Sequence, residues 1–157
     1  MEKTFELKTF KRGVFGVDCK YIESTTEDDG TTTKNEFHVK ASRPTHPDLD
    51  ALFNSDLPCI VAKLFGDRWP MDDVTAMDLF ECTGISLSGK DDNIGIVIDG
   101  KINLSAFQQI KFKTPRLKYK LSDSEAAAML TVFADKVVKE VYDYLFEGKS
   151  DEMEVFE

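Results

Sequence analysis

The stretch VFGVDCKYIESTTEDDGTTTKNEFHVKA, residues 14–41, decides the fold. It contains two alternating runs on either side of a polar turn. In residues 14–25, Phe15, Val17, Cys19 and Tyr21 share one face of an extended chain, and Asp18 and Lys20 share the other. Glu27-Asp28-Asp29-Gly30 supplies the turn, with a glycine free to take positive φ. Residues 31–41 return with Phe37, Val39 and Ala41 on one side and Glu36, His38 and Lys40 on the other. The pattern predicts a long antiparallel hairpin with one wet face. Residues 4–10 alternate more weakly and add a first strand.

Downstream the period changes from two to between three and four. Thr45 is placed to cap a helix, Pro47 fixes its first turn, and Asp48 meets the free amides. Leu49, Leu52 and Phe53 form its apolar stripe. Pro58 is expected to break or kink that helix, because it lacks a donor and crowds the preceding turn. A second short helix, residues 58–65, then buries Ile60, Val61, Leu64 and Phe65 and ends at Gly66.

The same order then recurs. Residues 80–88 read as a strand with Cys82, Ile85 and Leu87 on its apolar positions and a bulge at Gly84. Residues 90–93 turn the chain. Residues 94–98 are apolar on both faces, as in a central strand, and Asp99-Gly100 is a hairpin-turn signal. Residues 107–119 form the last strand region, with Ile110 and Phe112 opposite Gln109, Lys111 and Lys113; Pro115 puts its far end at an edge. A long helix closes the chain. Ser122 and Glu125 suggest a capping box, and Leu130, Phe133, Ala134, Val137, Val141 and Leu145 recur at helical spacing up to Gly148. Lys139 and Asp143 are an i,i+4 pair.

The reading is α+β: an antiparallel sheet of about six strands packed on one face by helices, in a β-β-β-α pattern that occurs twice. A single β-β-β-α unit cannot cover its own sheet well, whereas two joined edge to edge share one core. The halves are residues 1–66 and 80–149, with 67–79 as a linker pinned by Trp69. Together they form one domain over 1–149, and 150–157 is expected to be a flexible acidic tail. The halves share order and length of elements, not residue identity.

The chain has 157 residues, a net charge of -9 and a pI near 4.8. That acidity disfavours long-range attraction to nucleic acid. The charge is uneven. Residues 101–120 carry Lys101, Lys111, Lys113, Arg116, Lys118 and Lys120 and no acid, whereas acids outnumber lysines from Asp135 onward. Cys19, Cys59 and Cys82 are widely spaced, which favours reduced thiols over a disulfide framework. Residues 1–4 hold no signal-peptide core, and no run approaches the ~18 apolar residues of a membrane span.

No motif carries chemistry outright. His38 and His46 lack metal-site spacing with any cysteine pair. Glu27-Asp28-Asp29-Gly30 and Asp91-Asp92-Asn93 lack a calcium loop, and the glycines do not gather between a strand and a helix. Asp72, Asp73 and Asp99 are the carboxylates from which a metal-dependent enzyme would have to be built. The electrostatic feature is the basic stretch. Lys111 and Lys113 share a strand face, which Lys20, Lys40 and His38 join if their strands lie in the same sheet. Phe107 or Tyr119 would then serve as stacking platforms for single-stranded nucleic acid. The plainer reading is that these lysines solubilise a sheet face or edge.

His46-Pro47-Asp48-Leu49, Thr83-Gly84-Ile85-Ser86, Gly95-Ile96-Val97-Ile98-Asp99-Gly100-Lys101, Lys113-Thr114-Pro115-Arg116 and Tyr144-Leu145-Phe146-Glu147-Gly148-Lys149 occur in this order. In that order they resemble a family of small, largely uncharacterised phage and prophage proteins. The resemblance implies a mobile-element origin and brings no catalytic residue. The expected function is a non-enzymatic, phage-encoded interaction protein acting on a host or phage protein in the host cytoplasm, with no cofactor or metal and with a homodimer as a further expectation. The rival is single-stranded DNA binding in a phage replication or recombination module. The candidate binding residues are Lys20, Lys40, Lys101, Lys111, Lys113, Arg116, Lys118, Lys120 and Tyr119.

Overall fold

The computed structural model describes residues 2–13, 16–105, 108–120 and 122–149. The expectations placed on Val14, Phe15, Phe107 and residues 150–157 lie outside them. Six strands form one antiparallel sheet: β1 (Glu2–Gly13), β2 (Gly16–Thr26), β3 (Thr32–Ala41), β4 (Phe80–Ser88), β5 (Gly95–Ser105) and β6 (Gln108–Lys113). Their spatial order is β3-β2-β1-β4-β5-β6, two three-strand meanders joined through their first strands. The helical elements pack on one face. They are α1 (Pro47–Ala51), a π-helical turn (Leu52–Asp56), α2 (Leu57–Phe65), α3 (Asp73–Leu79) and α4 (Glu125–Phe146). This is the α+β arrangement that the alternating pattern implies.

The meanders meet over three residue pairs, Thr9↔Ser86, Phe10↔Ile85 and Lys11↔Gly84. A bulge flanks this seam in each strand. Lys8 is extra between Leu7 and Thr9, and Thr83 is extra between Cys82 and Gly84. A bulge turns a strand and ends its pairing, so the two bulges limit the seam on both sides. Lys8 and Thr83 are separated by the same interval as Phe5 and Phe80, Phe10 and Ile85, and Phe37 and Phe112. The halves are therefore related by an approximate two-fold axis through the Phe10/Ile85 pair, although few residues are identical.

Each half's helix covers the other half. α4 follows β6, yet Phe146 packs edge-on against Phe5 of β1 and Tyr21 of β2, with centroids 5.9 and 5.6 Å apart. α2 follows β3, yet Phe65 stacks on Phe80 of β4 at 5.7 Å. Between them Phe53 of the π-helical turn touches Phe10 at 5.5 Å and Phe133 of α4 at 6.3 Å. Leu49, Leu57, Ile60, Ile85, Ile96, Ile98 and Leu130 fill the same continuous core. Phe10, Phe53, Phe80 and Phe133 are buried, and truncating such a residue to alanine costs on the order of 3–5 kcal/mol, so the shared core binds the halves more strongly than three backbone pairs do.

Several local expectations are corrected. Asp99-Gly100 is not a hairpin turn, because β5 runs through it and Gly100 pairs with Cys82. The glycine is required by packing: a Cβ there would lie 2.7 and 2.8 Å from the Phe112 ring and would also meet the Glu81 carbonyl oxygen. The bulge expected at Gly84 is present between Cys82 and Gly84, with Thr83 as the extra residue. Residues 67–79 are not a plain linker, since α3 forms there with Asp72 as its N-cap, accepting from the Thr75 amide at 2.7 Å. Asp72 was readable as a cap but was masked by the adjacent Asp73.

α1 is capped by His46 rather than Thr45: His46 Nδ1 accepts from the Asp48 amide at 3.0 Å, while the Thr45 hydroxyl turns to Asp50. α4 is capped by Ser124, whose Oγ accepts from the Ala127 amide at 3.1 Å, so Ser122 lies two residues outside the cap. The chain stays helical through Pro58, because the π-helical turn just before it relieves the missing donor and Pro58 falls in the first turn of α2. β6 ends at Lys113, not Tyr119; beyond Pro115 only an isolated bridge, Ile96↔Leu117, continues the pairing.

Gly100→Ala is expected to destabilise the protein by about 1–3 kcal/mol, the usual cost of overpacking a close contact. Gly84→Ala should cost less, because its added Cβ would meet Lys11 Cγ at 2.7 Å and the nearest backbone atom, the Phe10 oxygen, at 3.1 Å, whereas a Cβ at Gly100 would come closer than either to the Glu81 oxygen. Urea unfolding of the two variants checks the order; equal costs would contradict the packing role of Gly100.

Candidate functional site

The uncovered sheet face is set by the alternation of β1–β6. One row crosses its whole width: Lys40↔Asp18↔Lys11↔Gly84↔Asp99↔Lys113. A neighbouring row holds His38↔Lys20↔Thr9↔Ser86↔Val97, and a third holds Glu81↔Lys101↔Lys111. The sheet thus places Lys20, Lys40, Lys101, Lys111 and Lys113 on one surface and adds Lys11, which the sequence reading missed. Lys11 was recoverable from its place between Phe10 and Arg12 once β1 was extended past Phe10. The same surface carries Glu6, Asp18, Glu36, Glu81 and Asp99, so its charge is mixed. His38 Nε2 lies 2.6 Å from Asp18 Oδ1.

Two candidates are not available to a ligand in the expected way. Tyr119 is 4% exposed and belongs to the core, and burial, with the Asp135 charge adding to it, raises its pKa; it is not a stacking platform. Its alternation was misassigned because β6 was carried past Pro115. Arg116 is engaged internally: its Nε donates to Ser88 Oγ at 2.8 Å and its Nη2 to the Ser88 carbonyl at 2.9 Å and the Asn93 carbonyl. It ties the β4–β5 connection to the segment after β6. Lys118 and Lys120 are exposed on that segment.

Exposed large apolar side chains lie elsewhere, on the helix-bearing side. At the β6 end Leu64, Phe65, Trp69, Leu104 and Ile110 are 37–52% exposed. Of these, Leu64 and Phe65 line a pocket of about 390 Å³ together with Val61, Phe80, Ile102 and Phe112, with Lys113 and Pro115 at its rim. At the opposite end of the sheet Phe37, Tyr142 and Phe146 are 40–44% exposed around Phe5 and Tyr21. These two aromatic groups are counterparts under the approximate two-fold. At the β3 end Tyr21 fills the space under Phe37; at the β6 end the matching position is Gly100, and Phe112 lies directly over its backbone. The sequence marked Phe37 and Ile110 as inward-facing but could not show that the helices stop short of them.

Asp72 caps α3 on the helix side while Asp99 lies on the opposite face of the sheet, so the carboxylates weighed for an enzyme are not brought together. The cluster with ligand-like spacing among the described residues is instead His46, Asp48 and Glu140, with ligand atoms within 4.8 Å of one another. Lys149 supplies a positive charge there. Its Nζ donates to Asp48 Oδ2 at 3.1 Å and Glu140 Oε1 at 3.1 Å, and lies 2.9 Å from the buried Glu140 Oε2 off the hydrogen-bonding direction. The network fastens the end of α4 to the start of α1. Among thiols, burial pushes Cys19 and Cys82 up to about 12, far from the reactive thiolate range.

No family model, curated protein or solved structure matches this chain.

The Asp48 carboxyl is held below its ordinary value, chiefly by the hydrogen bond from Lys149. For Lys149, burial pulls the pKa down, but the bonds to Glu140 and Asp48 outweigh it and the value is raised. A depressed carboxylate stabilises the fold above its unfolded-state pKa, and that contribution is lost as pH falls through the folded-state pKa. Asp48 is 60% exposed, so solvent screening limits the pair to roughly 0.2–1 kcal/mol. Asp48→Asn should therefore lower stability by about that amount at pH 7, with variant and wild type converging by about pH 2. Denaturant unfolding at both pH values measures it.

Proposed function

We propose that this chain is a non-enzymatic protein-binding module of phage origin that engages a host or phage protein in the host cytoplasm. The observation that supports this reading is the apolar group at the β6 end. Large side chains exposed together beside a pocket, rather than scattered singly, mark a surface that another protein covers. Among the described residues the outer edge of β6 has no neighbouring strand, and its backbone groups lie next to that pocket, the arrangement used when an extended segment joins a sheet. Lys111 and Lys113 favour an acidic partner segment.

The second reading, single-stranded DNA along the open sheet face, draws on the row from Lys40 through Lys11 to Lys113. It loses Tyr119 as a stacking residue, and the described residues of that face include no Phe, Tyr or Trp. Interleaved Asp18, Asp99 and Glu81 offset much of the lysine charge.

Ile110→Asp is expected to abolish partner binding while changing stability by less than about 1 kcal/mol, because the side chain is 51% exposed. Lys11→Glu with Lys20→Glu should leave partner binding intact. Affinity capture followed by titration of the purified partner against each variant tests this. For the rival, labelled oligonucleotides titrated at increasing salt should show no binding even at about 50 mM salt; tight binding that falls steeply with salt, lost in Lys11→Glu with Lys20→Glu, would replace the protein-binding reading.

A further inference from the structure

Among the described residues β3 has one sheet neighbour, β2, and pairs with it without a bulge from Val17↔Ala41 to Thr26↔Thr32. Its other edge is an unbroken row of backbone donors and acceptors along ten residues, with no proline among them. On the helix side this edge shows Asn35, Phe37, Val39 and Ala41, and on the wet side Lys34, Glu36, His38 and Lys40. Phe37 is 40% exposed although it stacks on Tyr21. Asp18, the carboxylate opposite Lys40, is engaged by His38 at 2.6 Å, and Glu36 lies opposite Ile22. Among the described residues, Glu36 and Lys40 are thus left without an ion pair.

We propose that β3 pairs antiparallel with β3 of a second copy, with His38 on the two-fold axis, so that the two six-stranded sheets join into one. In this register Glu36 of each copy lies opposite Lys40 of the other, and Phe37 of each lies opposite Val39 of the other. Directly opposite residues have Cβ atoms about 4.5–5.5 Å apart, close enough for both kinds of pair to form. The ladder takes in residues 35–41 of both copies and covers the outer side of Phe37. This interface is separate from the β6 surface and does not rest on how that surface is read.

Side-chain chemistry selects both the occupant and the register. A two-fold axis normal to the sheet sets residues of the same face opposite each other, so the residue on the axis fixes every pair. With Phe37 on the axis, Lys34 would oppose Lys40. With Glu36 on it, Glu36 would oppose itself and Lys34 would oppose His38. With Asn35 on it, Lys34 would oppose Glu36, but Phe37 would meet only Thr33 and Val39 would run past the start of β3. Only with His38 on the axis do the free acid and the free lysine meet while the apolar residues meet each other. β6, the opposite edge, cannot pair with itself in this way, because Gln108–Lys113 contains lysines and no acid.

The test uses four full-length proteins: wild type, Glu36→Lys, Lys40→Glu, and the variant with both changes. Sedimentation equilibrium should find a wild-type dimer, association at least about tenfold weaker for each single change, and recovery in the double variant. Mixing the two single variants should also restore association, because each then supplies the charge that the other lacks. Under oxidising conditions His38→Cys should form a disulfide-linked dimer faster than Phe37→Cys or wild type, since only a residue on the axis meets its own copy. Amide NMR shifts on dilution should centre on residues 35–41. A wild-type chain that stays monomeric at about 1 mM overturns the proposal and leaves the β3 edge to a different partner. Lys40→Glu that strengthens association or leaves it unchanged, no recovery on mixing, faster linkage through Phe37→Cys, or shifts centred on Gln108–Lys113 would each overturn it as well. Ile110→Asp should remain dimeric, so the outcome here is independent of whether that variant loses its partner.

Discussion

The fold depends on the short seam between β1 and β4. Bulges at Lys8 and Thr83 restrict it to three residue pairs, so the backbone alone joins the two meanders weakly. What holds them together is the exchange of helices across the seam. Phe146 of the second half closes over Phe5 and Tyr21 of the first, and Phe65 of the first closes over Phe80 of the second. Phe10, Phe53 and Phe133 occupy the middle, where both halves contribute to one core. Neither half can bury its own sheet without the other's helix.

That exchange also shapes the surface. Each helix ends where it meets the other half, and the outer inward-facing residues of both edge strands are left partly bare. At one end Tyr21 and Tyr142 fill the gap with rings. At the other, Gly100 lets Phe112 sink against the backbone, and the space that remains is the pocket under β6. An approximate two-fold in the backbone thus yields one filled and one open site. Among the described residues, the opposite face of the sheet has no comparable apolar exposure. It is wetted by lysines that alternate with carboxylates across the strands, an arrangement that keeps the face soluble.

Charge is placed to the same effect. Lys149 brings a cation to the carboxylates of Asp48 and Glu140, and closes the helical layer at the point where α1 begins and α4 ends. Arg12 performs a related task at the other end of α1. Its guanidinium donates to Asp50 at 3.0 Å and to Asn54 and lies over the Phe53 ring, tying β1 to the π-helical turn; burial lowers its pKa despite Asp50. Both contacts join residues far apart in sequence.

The sequence by itself determined the elements. Alternation at Val17, Cys19 and Tyr21, and at Ile96 and Ile98, specifies strands, and the three-to-four spacing from Leu130 to Leu145 specifies α4, because these periods follow from backbone geometry alone. It also gave the element order from which a six-stranded sheet with helices on one face could be inferred. Only the tertiary structure decided the rest. Gly100 looked like a turn because the backbone freedom of glycine is local, whereas its use here, a seat for Phe112, depends on a residue from another strand. Tyr119 looked exposed because nothing in its neighbours records the end of β6. The lysine row across the open face, the crossed helices and the pocket under β6 each depend on pairings between distant strands. Such pairings are fixed by how well whole surfaces pack, and no short stretch of chain carries that information.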